Sequence, residues 1–250
     1  MKFCQKGAKI LLPLLFWGAV WVLLALRVGQ SLLLPHPWEV LRRLWALGQT
    51  ADFWAAAGMT LLRVFSGAAF GVALGTLVAA LSARSRLLDW LFTPVVKVIR
   101  ATPVASFILL IWLWAPTAWV PAVVAGLMSL PVVWGAVGQG IRETDPQLLE
   151  LAAAYRFSAG KTLRLIYVPS VRPAFSAGCR TALGLAWKAG VAAEALCLPR
   201  RAIGSQVYYS KLYLETPDLF AWTAVVIVLS FLVERGLGAL LERRGGHGGA

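Results

Sequence analysis

The sequence predicts an all-α integral membrane protein with about six transmembrane helices, and three observations lead there. Of the 250 residues, 59% are hydrophobic and only 14% charged, too little charge to solvate the surface of a soluble domain of this size. The apolar residues gather into six runs long enough to cross a hydrocarbon core, which takes roughly 20 residues. The basic residues sit mainly at the ends of those runs, where Lys and Arg set the orientation of a membrane protein. A formal net charge of +13 would also suit a nucleic-acid binder, but no RNA- or DNA-binding motif is present. The expected partner for that charge is the lipid bilayer.

The runs extend from about Ala8 to Leu26, Met59 to Leu81, Leu91 to Trp114, Trp119 to Val137, Ala174 to Leu196 and Leu219 to Leu241. The first has a basic flank (Lys2, Lys6, Lys9) like that of a signal peptide. Its length and the lack of a clean small-x-small cleavage site make it a retained anchor. Lys97 and Arg100 fall within the third run and place its first turns at the inner interface. Glu234 and Arg235 mark the interface at the end of the sixth. With the amino terminus inside, the inner segments hold Arg84, Arg86, Arg142, Arg156, Lys161, Arg164, Arg172, Arg235, Arg243 and Arg244 beside the amino-terminal lysines. The outer segments hold the smaller set Arg27, Arg42, Arg43, Arg200, Arg201 and Lys211, so both termini are expected in the cytoplasm.

Two outer segments read as interfacial. Ser31 to Gln49 contains Pro35 and Pro37, then an amphipathic stretch with Trp38, Leu41 and Trp45 on one side and Arg42 and Arg43 off it, the pattern of a helix lying at the headgroups. Pro199 to Pro217 carries Tyr208, Tyr209 and Tyr213. It reads equally as an aromatic belt or as a surface that receives something from outside.

Between the fourth and fifth runs lies a polar island, Arg142 to Arg172. Asp145-Pro146 reads as a helix start, since an acceptor side chain caps free amides and proline suits the first turn. Leu148, Leu149, Ala152 and Tyr155 then share one face. Ser158 caps a second short helix carrying Leu163, Ile166 and Tyr167, which is expected to stop before Pro169 and Pro173. An apolar knob with a basic rim that does not span the membrane suits a protein groove or packs under the chain's own spans.

The island also resembles a known motif. Glu150-Leu151-Ala152, followed by Ile166-Tyr167-Val168-Pro169, is similar to the EAA loop of binding-protein-dependent ABC importers. That motif reads Glu-Ala-Ala, three residues, Gly, nine residues, Ile, one residue, Leu-Pro. Leu151 replaces the first Ala, Val168 replaces Leu, and Arg156 stands at the glycine position, so the bend is expected slightly later, at Ser158 or Gly160. Arg100-Ala101-Thr102-Pro103-Val104-Ala105, Leu183-Gly184-Leu185-Ala186-Trp187 and Ala192-Ala193-Glu194 extend the likeness. From about Thr60 onward the chain resembles permeases of the nitrate/sulfonate/taurine type.

That resemblance implies a type I ABC importer permease fold working as a dimer, with alternating access driven by ATP hydrolysis on a separate subunit. An extracytoplasmic solute-binding protein would deliver the solute, a small anion such as a sulfonate, taurine or nitrate. Residues 1–58 would form an N-terminal helix and outer interfacial segment, 59–244 the permease core, and 245–250 a disordered tail. Within the core, the loop 142–172 would couple to the ATPase through Glu150, Ala152, Tyr155, Arg156, Phe157, Ile166 and Pro169. Consistent with that division of labour, no G-x-x-x-x-G-K-[ST] phosphate loop occurs in this sequence.

The fifth run carries Arg180, Lys188 and Glu194 among otherwise lipid-compatible residues. An ionisable group at depth should face the bundle interior, a cavity or a partner charge. Lys188 and Glu194 lie about 120° apart around a helix and should not pair with each other. Lys188 either lines the pathway and favours an anion or pairs with a carboxylate on another helix. Arg180 reaches for the inner surface, and Glu194 near the outer end is a gate or a structural partner. Gly67, Gly71 and Gly75 form a small-residue stripe that packs within one subunit or at a dimer seam.

An enzyme is not expected. The two histidines, His36 and His247, stand in an outer turn and a glycine-rich tail, and no paired acids or nucleophile–base set stands out within the runs. The three cysteines, Cys4, Cys179 and Cys197, are scattered and define neither a disulfide framework nor a metal site, and no cofactor is implied. A stand-alone secondary transporter or channel would also explain the charges at depth, but would leave the polar island without a purpose.

Overall fold

The computed structural model describes residues 2–245. Among them are eleven α-helices, one π-helical turn and no strand. In order, the helices are α1 (Lys2–Val28), α2 (Pro37–Gly48), α3 (Ala51–Arg84), α4 (Arg86–Ala101), α5 (Val104–Trp114), α6 (Val120–Arg142), α7 (Pro146–Ala154) and α8 (Ala159–Thr162). The π-helical turn Leu163–Tyr167 leads into α9 (Val168–Cys197), followed by α10 (Ile203–Leu212) and α11 (Thr216–Gly245). The glycine-rich end 246–250, with His247, lies outside the described residues.

All six apolar runs fall on helices. Three helical stretches are long and apolar enough to cross a membrane: Ala51–Arg84, Val120–Arg142 and Thr216–Gly236. The third run is not one straight span. It breaks into α4 and α5, whose axes differ by 108°. Pro103 causes the break, because it has no N–H to donate and its ring disfavours the helical conformation at the residue before it. Thr102 accordingly adopts the extended values φ −78°, ψ 130°. Pro94 and Pro131, by contrast, are accommodated inside α4 and α6. The boundary expected between residues 58 and 59 falls inside α3, which runs unbroken from Ala51.

The core is a slab of three helices, α3, α6 and α9. Gly67, Gly71 and Gly75 of α3 face the backbone of Ala122, Gly126 and Leu130 on α6. A Cβ at Gly67 or Gly71 would collide with a carbonyl oxygen, and one at Gly75 would lie 2.6 Å from Leu130 O. The stripe therefore packs within the subunit, as small residues let two membrane helices approach closely. The other face of α6 receives α9: a Cβ at Gly178 would lie 2.6 Å from that of Ala136, and Gly190 lies against Val64 and Pro121. Trp187 of α9 is buried among Val64, Ala68, Ala125, Leu183 and Ala186. Its indole N–H donates to Val226 O at 3.3 Å and so ties α11 to the slab.

Outside this slab the rule of soluble proteins is inverted. Trp38, Trp45, Trp90, Trp114 and Trp119 are all largely exposed, Trp114 by 85%, as expected where lipid rather than water is the solvent. Helix α2 carries two of these tryptophans and turns Val40 inward. It is pinned to the start of α11 by a two-point ion pair from Arg43 to Asp218. The Asp218 hydrogen bonds hold the Arg43 guanidinium above its ordinary pKa. Thr216 donates to Leu32 O, and Trp21 stacks on Phe220, which tie the amino-terminal segment to the same place.

Candidate functional site

The loop after α6 folds as a compact unit. Asp145 caps α7, its carboxylate accepting from Gln147 N at 2.8 Å, with Pro146 in the first turn. The helix ends in a paired turn: Arg156 N donates to Ala153 O and Phe157 N to Ala152 O, the two bonds of a Schellman motif. Such a motif needs a left-handed residue after the cap, and Arg156 supplies it with φ +51°. The chain therefore reverses at the glycine position of the motif, carried by an arginine, and not later at Ser158 or Gly160. Ser158 instead caps α8, accepting from Lys161 N.

The second short helix does not stop before Pro169. It widens into the π-helical turn 163–167 and continues as α9, with Pro169 near its first residue. There the missing N–H removes no essential bond, and a π turn absorbs the change of register. Pro173 lies inside α9. The loop is thus continuous with the start of α9.

Of the loop residues singled out by sequence, Ala152 and Ile166 are buried and shape the unit from inside. Glu150, Tyr155, Arg156 and Pro169 are exposed, and Phe157 is half-buried. The Lys161 ammonium lies 4.0 Å from the centre of the Phe157 ring. Leu148, Leu151 and Tyr155 (71% exposed) leave an apolar stripe uncovered, at the spacing of one helix face.

At the other end of α9, Glu194 is fully enclosed, with 0% exposure. Its Oε2 accepts from Thr60 Oγ1 at 2.8 Å and from Gly204 N at 3.2 Å, and its Oε1 accepts from Arg63 Nη1 at 3.3 Å. Arg63 also donates to the carbonyls of Arg200 and Arg201, and Thr60 Oγ1 accepts from Ile203 N. Ser205 Oγ donates within reach of both Glu194 O and Pro199 O. The cluster fastens α3, α9 and the segment 198–205 together, including Leu198 and Arg201 in left-handed conformations. Sequence reasoning missed Arg63 and Thr60. The signal was there, since Arg63 is a charge inside the second apolar run.

Lys188 is different. It lies on the exposed face of α9 with Thr181, Leu185 and Ala192. Arg43–Asp218 and Arg63–Glu194 form ion pairs, and neither involves Lys188. Cys179 and Cys197 are free and buried. No group of three or more possible metal ligands occurs among the described residues.

The family described as "Binding-protein-dependent transport system inner membrane component" matches residues 71–244, over two thirds of the chain. The taurine transport system permease protein TauC of Escherichia coli (strain K12) is 26% identical over 234 residues, covering 89% of this chain and 83% of that protein. The putative aliphatic sulfonates transport permease protein SsuC of Bacillus subtilis (strain 168) is 24% identical over 241 residues, covering 96% and 86%. The riboflavin transport system permease protein RibX of Chloroflexus aurantiacus (strain ATCC 29366 / DSM 635 / J-10-fl) is 27% identical over 236 residues, covering 94% and 86%. Among solved structures, "Crystal structure of an amino acid ABC transporter with histidines" superposes with a TM-score of 0.63 at 18% identity, covering 80% of this chain and 95% of that one. The chain is a multi-pass ABC transporter permease subunit and belongs to the family of binding-protein-dependent transport system inner membrane components.

Proposed function

We propose that this subunit moves a small anion, such as a sulfonate, taurine or nitrate, into the cytoplasm by alternating access. It works as a homodimer, with both termini and the 142–172 loop in the cytoplasm. An extracytoplasmic solute-binding protein delivers the solute, and a separate subunit hydrolyses ATP and docks on the loop. The observation that carries this reading is the uncovered stripe Leu148, Leu151 and Tyr155 on a capped helix that continues into α9. An apolar stripe on a short helix is a natural insert for a protein groove, and closure of that groove would drive α9 directly. The relatives that carry taurine and sulfonates in their names support an anion, and so does Lys188, exposed on α9 without an ion-pair partner among the described residues.

Docking is tested by Leu151→Asp combined with Tyr155→Asp, which places carboxylates on the stripe while leaving the buried Ala152 and Ile166 in place. The double variant is expected to insert into the membrane at wild-type levels and to lose co-purification of the ATPase. Full co-purification with undiminished ATP-driven uptake would overturn the docking assignment.

A further inference from the structure

Helix α4 ends one residue after Arg100, immediately before the break at Thr102–Pro103. Sequence reasoning put this arginine at the inner interface. Its guanidinium instead reaches across to the middle of α6. Nη2 donates to Pro131 O, and the guanidinium carbon lies 5.9 Å from the centre of the Trp134 ring. Pro131 is at the midpoint of α6 (Val120–Arg142), one of the stretches long and apolar enough to span. Gly135 clears the space, since a Cβ there would lie 2.6 Å from Arg100 Nη2. The arginine is nevertheless exposed on this subunit, and neither ion pair among the described residues includes it.

A cation exposed at mid-span is too costly to leave against lipid and marks a cavity or a solute path. Guanidinium has five N–H donors in a rigid planar fork, and the Pro131 carbonyl takes one. The fork fits planar or tetrahedral oxyanions through two parallel hydrogen bonds. Helix α5 starts at the same break and places Ile108 in one buried cluster with Ala189, the neighbour of Lys188, and Ala193 of α9. The elements that carry the two cations are thus joined through α5.

The geometry points to Arg100 as the mid-membrane contact for the oxyanion group of the transported solute, held in place by Pro131 O and the Trp134 ring. This rests on the anion-importer reading and adds the residue that grips the anion.

The test uses the assembled transporter in proteoliposomes, with taurine, ethanesulfonate and nitrate as probes. Arg100→Gln keeps a polar amide but loses the charge and the fork, and is expected to cut anion uptake at least tenfold. Arg100→Lys is expected to restore part of it, with assembly and thermal stability unchanged in both. Independently of transport, Arg100→Cys in a Cys4→Ser, Cys179→Ala, Cys197→Ala background is expected to react with a membrane-impermeant thiol reagent. Saturating taurine or ethanesulfonate is expected to slow that reaction. No reaction from either side of the membrane would overturn the placement of Arg100 on the path, whatever the solute. Wild-type anion uptake by Arg100→Gln would overturn the contact while leaving the importer reading intact. A wild-type transporter that carries none of the three probes, each of which presents an oxyanion group, but does carry a solute without one would overturn the anion reading itself, and the contact with it.

Discussion

Glu194 and Lys188 lie six residues apart on α9 and are opposite in every physical respect. Glu194 is enclosed and receives hydrogen bonds from Thr60, Arg63 and Gly204. Lys188 is exposed on the face that this subunit leaves uncovered, with no carboxylate of the described residues paired to it. A buried charge survives only when its partners replace water, so the Glu194 cluster reads as a fastening. Lys188, at depth without such partners, is the charge we propose meets the solute. The contrast teaches that charge within an apolar span is not one signal but two, separated by what surrounds it.

The largest effect should come from unpairing the enclosed acid. Glu194→Leu leaves Arg63 without its counter-charge and the amide of Gly204 without its acceptor, and is expected to destabilise the subunit by about 3–5 kcal/mol, measured by thermal unfolding in detergent. Adding Arg63→Leu should recover part of that loss, because the two residues belong to one network. If Glu194→Leu melts like the wild type, the cluster is not a fastening and the comparison fails. Next in size is the glycine stripe. Gly71→Ala forces α3 away from the Gly126 carbonyl and is expected to cost about 1–3 kcal/mol as overpacking, read in the same assay.

Lys188→Met sharpens the other side of the comparison. On an exposed face it should change stability by less than about 0.5 kcal/mol, yet slow anion uptake by about an order of magnitude through loss of an attractive charge in a low-dielectric path. A stability loss as large as that of Glu194→Leu would place Lys188 among the structural charges. The smallest effect is local. Arg156 holds a left-handed conformation that disfavours a Cβ, so Arg156→Gly is expected to gain about 1 kcal/mol in loop stability. Slower amide exchange at Phe157 and Tyr155 would show it.

Much of this architecture was legible in the sequence because hydrocarbon solvent imposes a simple rule on length and polarity. The six apolar runs all became helices, and the Asp145 and Ser158 caps formed as their side chains dictate. The angle at Thr102–Pro103 was not legible, although Pro103 was. Five prolines punctuate the third and fourth runs and their junction, and only packing decides which of them breaks a helix. Ala152 and Tyr155 share a face by periodicity, but their different fates depend on how the loop folds back, which spacing alone does not specify. Arg63 stood in plain view within the second run, but its partner Glu194 is distant in sequence. The contact of Arg100 with Pro131 of α6 was not legible either, because it depends on the break between α4 and α5.

We propose that this subunit transports only when a separate ATPase drives it. The direct measurement is solute uptake into proteoliposomes holding the subunit, the ATPase and the loaded binding protein, with ATP and with its non-hydrolysable analogue. Accumulation against a gradient is expected with ATP, none with the analogue, and none when the ATPase is omitted. Concentrative uptake by this chain alone, powered by an ion gradient, would contradict it.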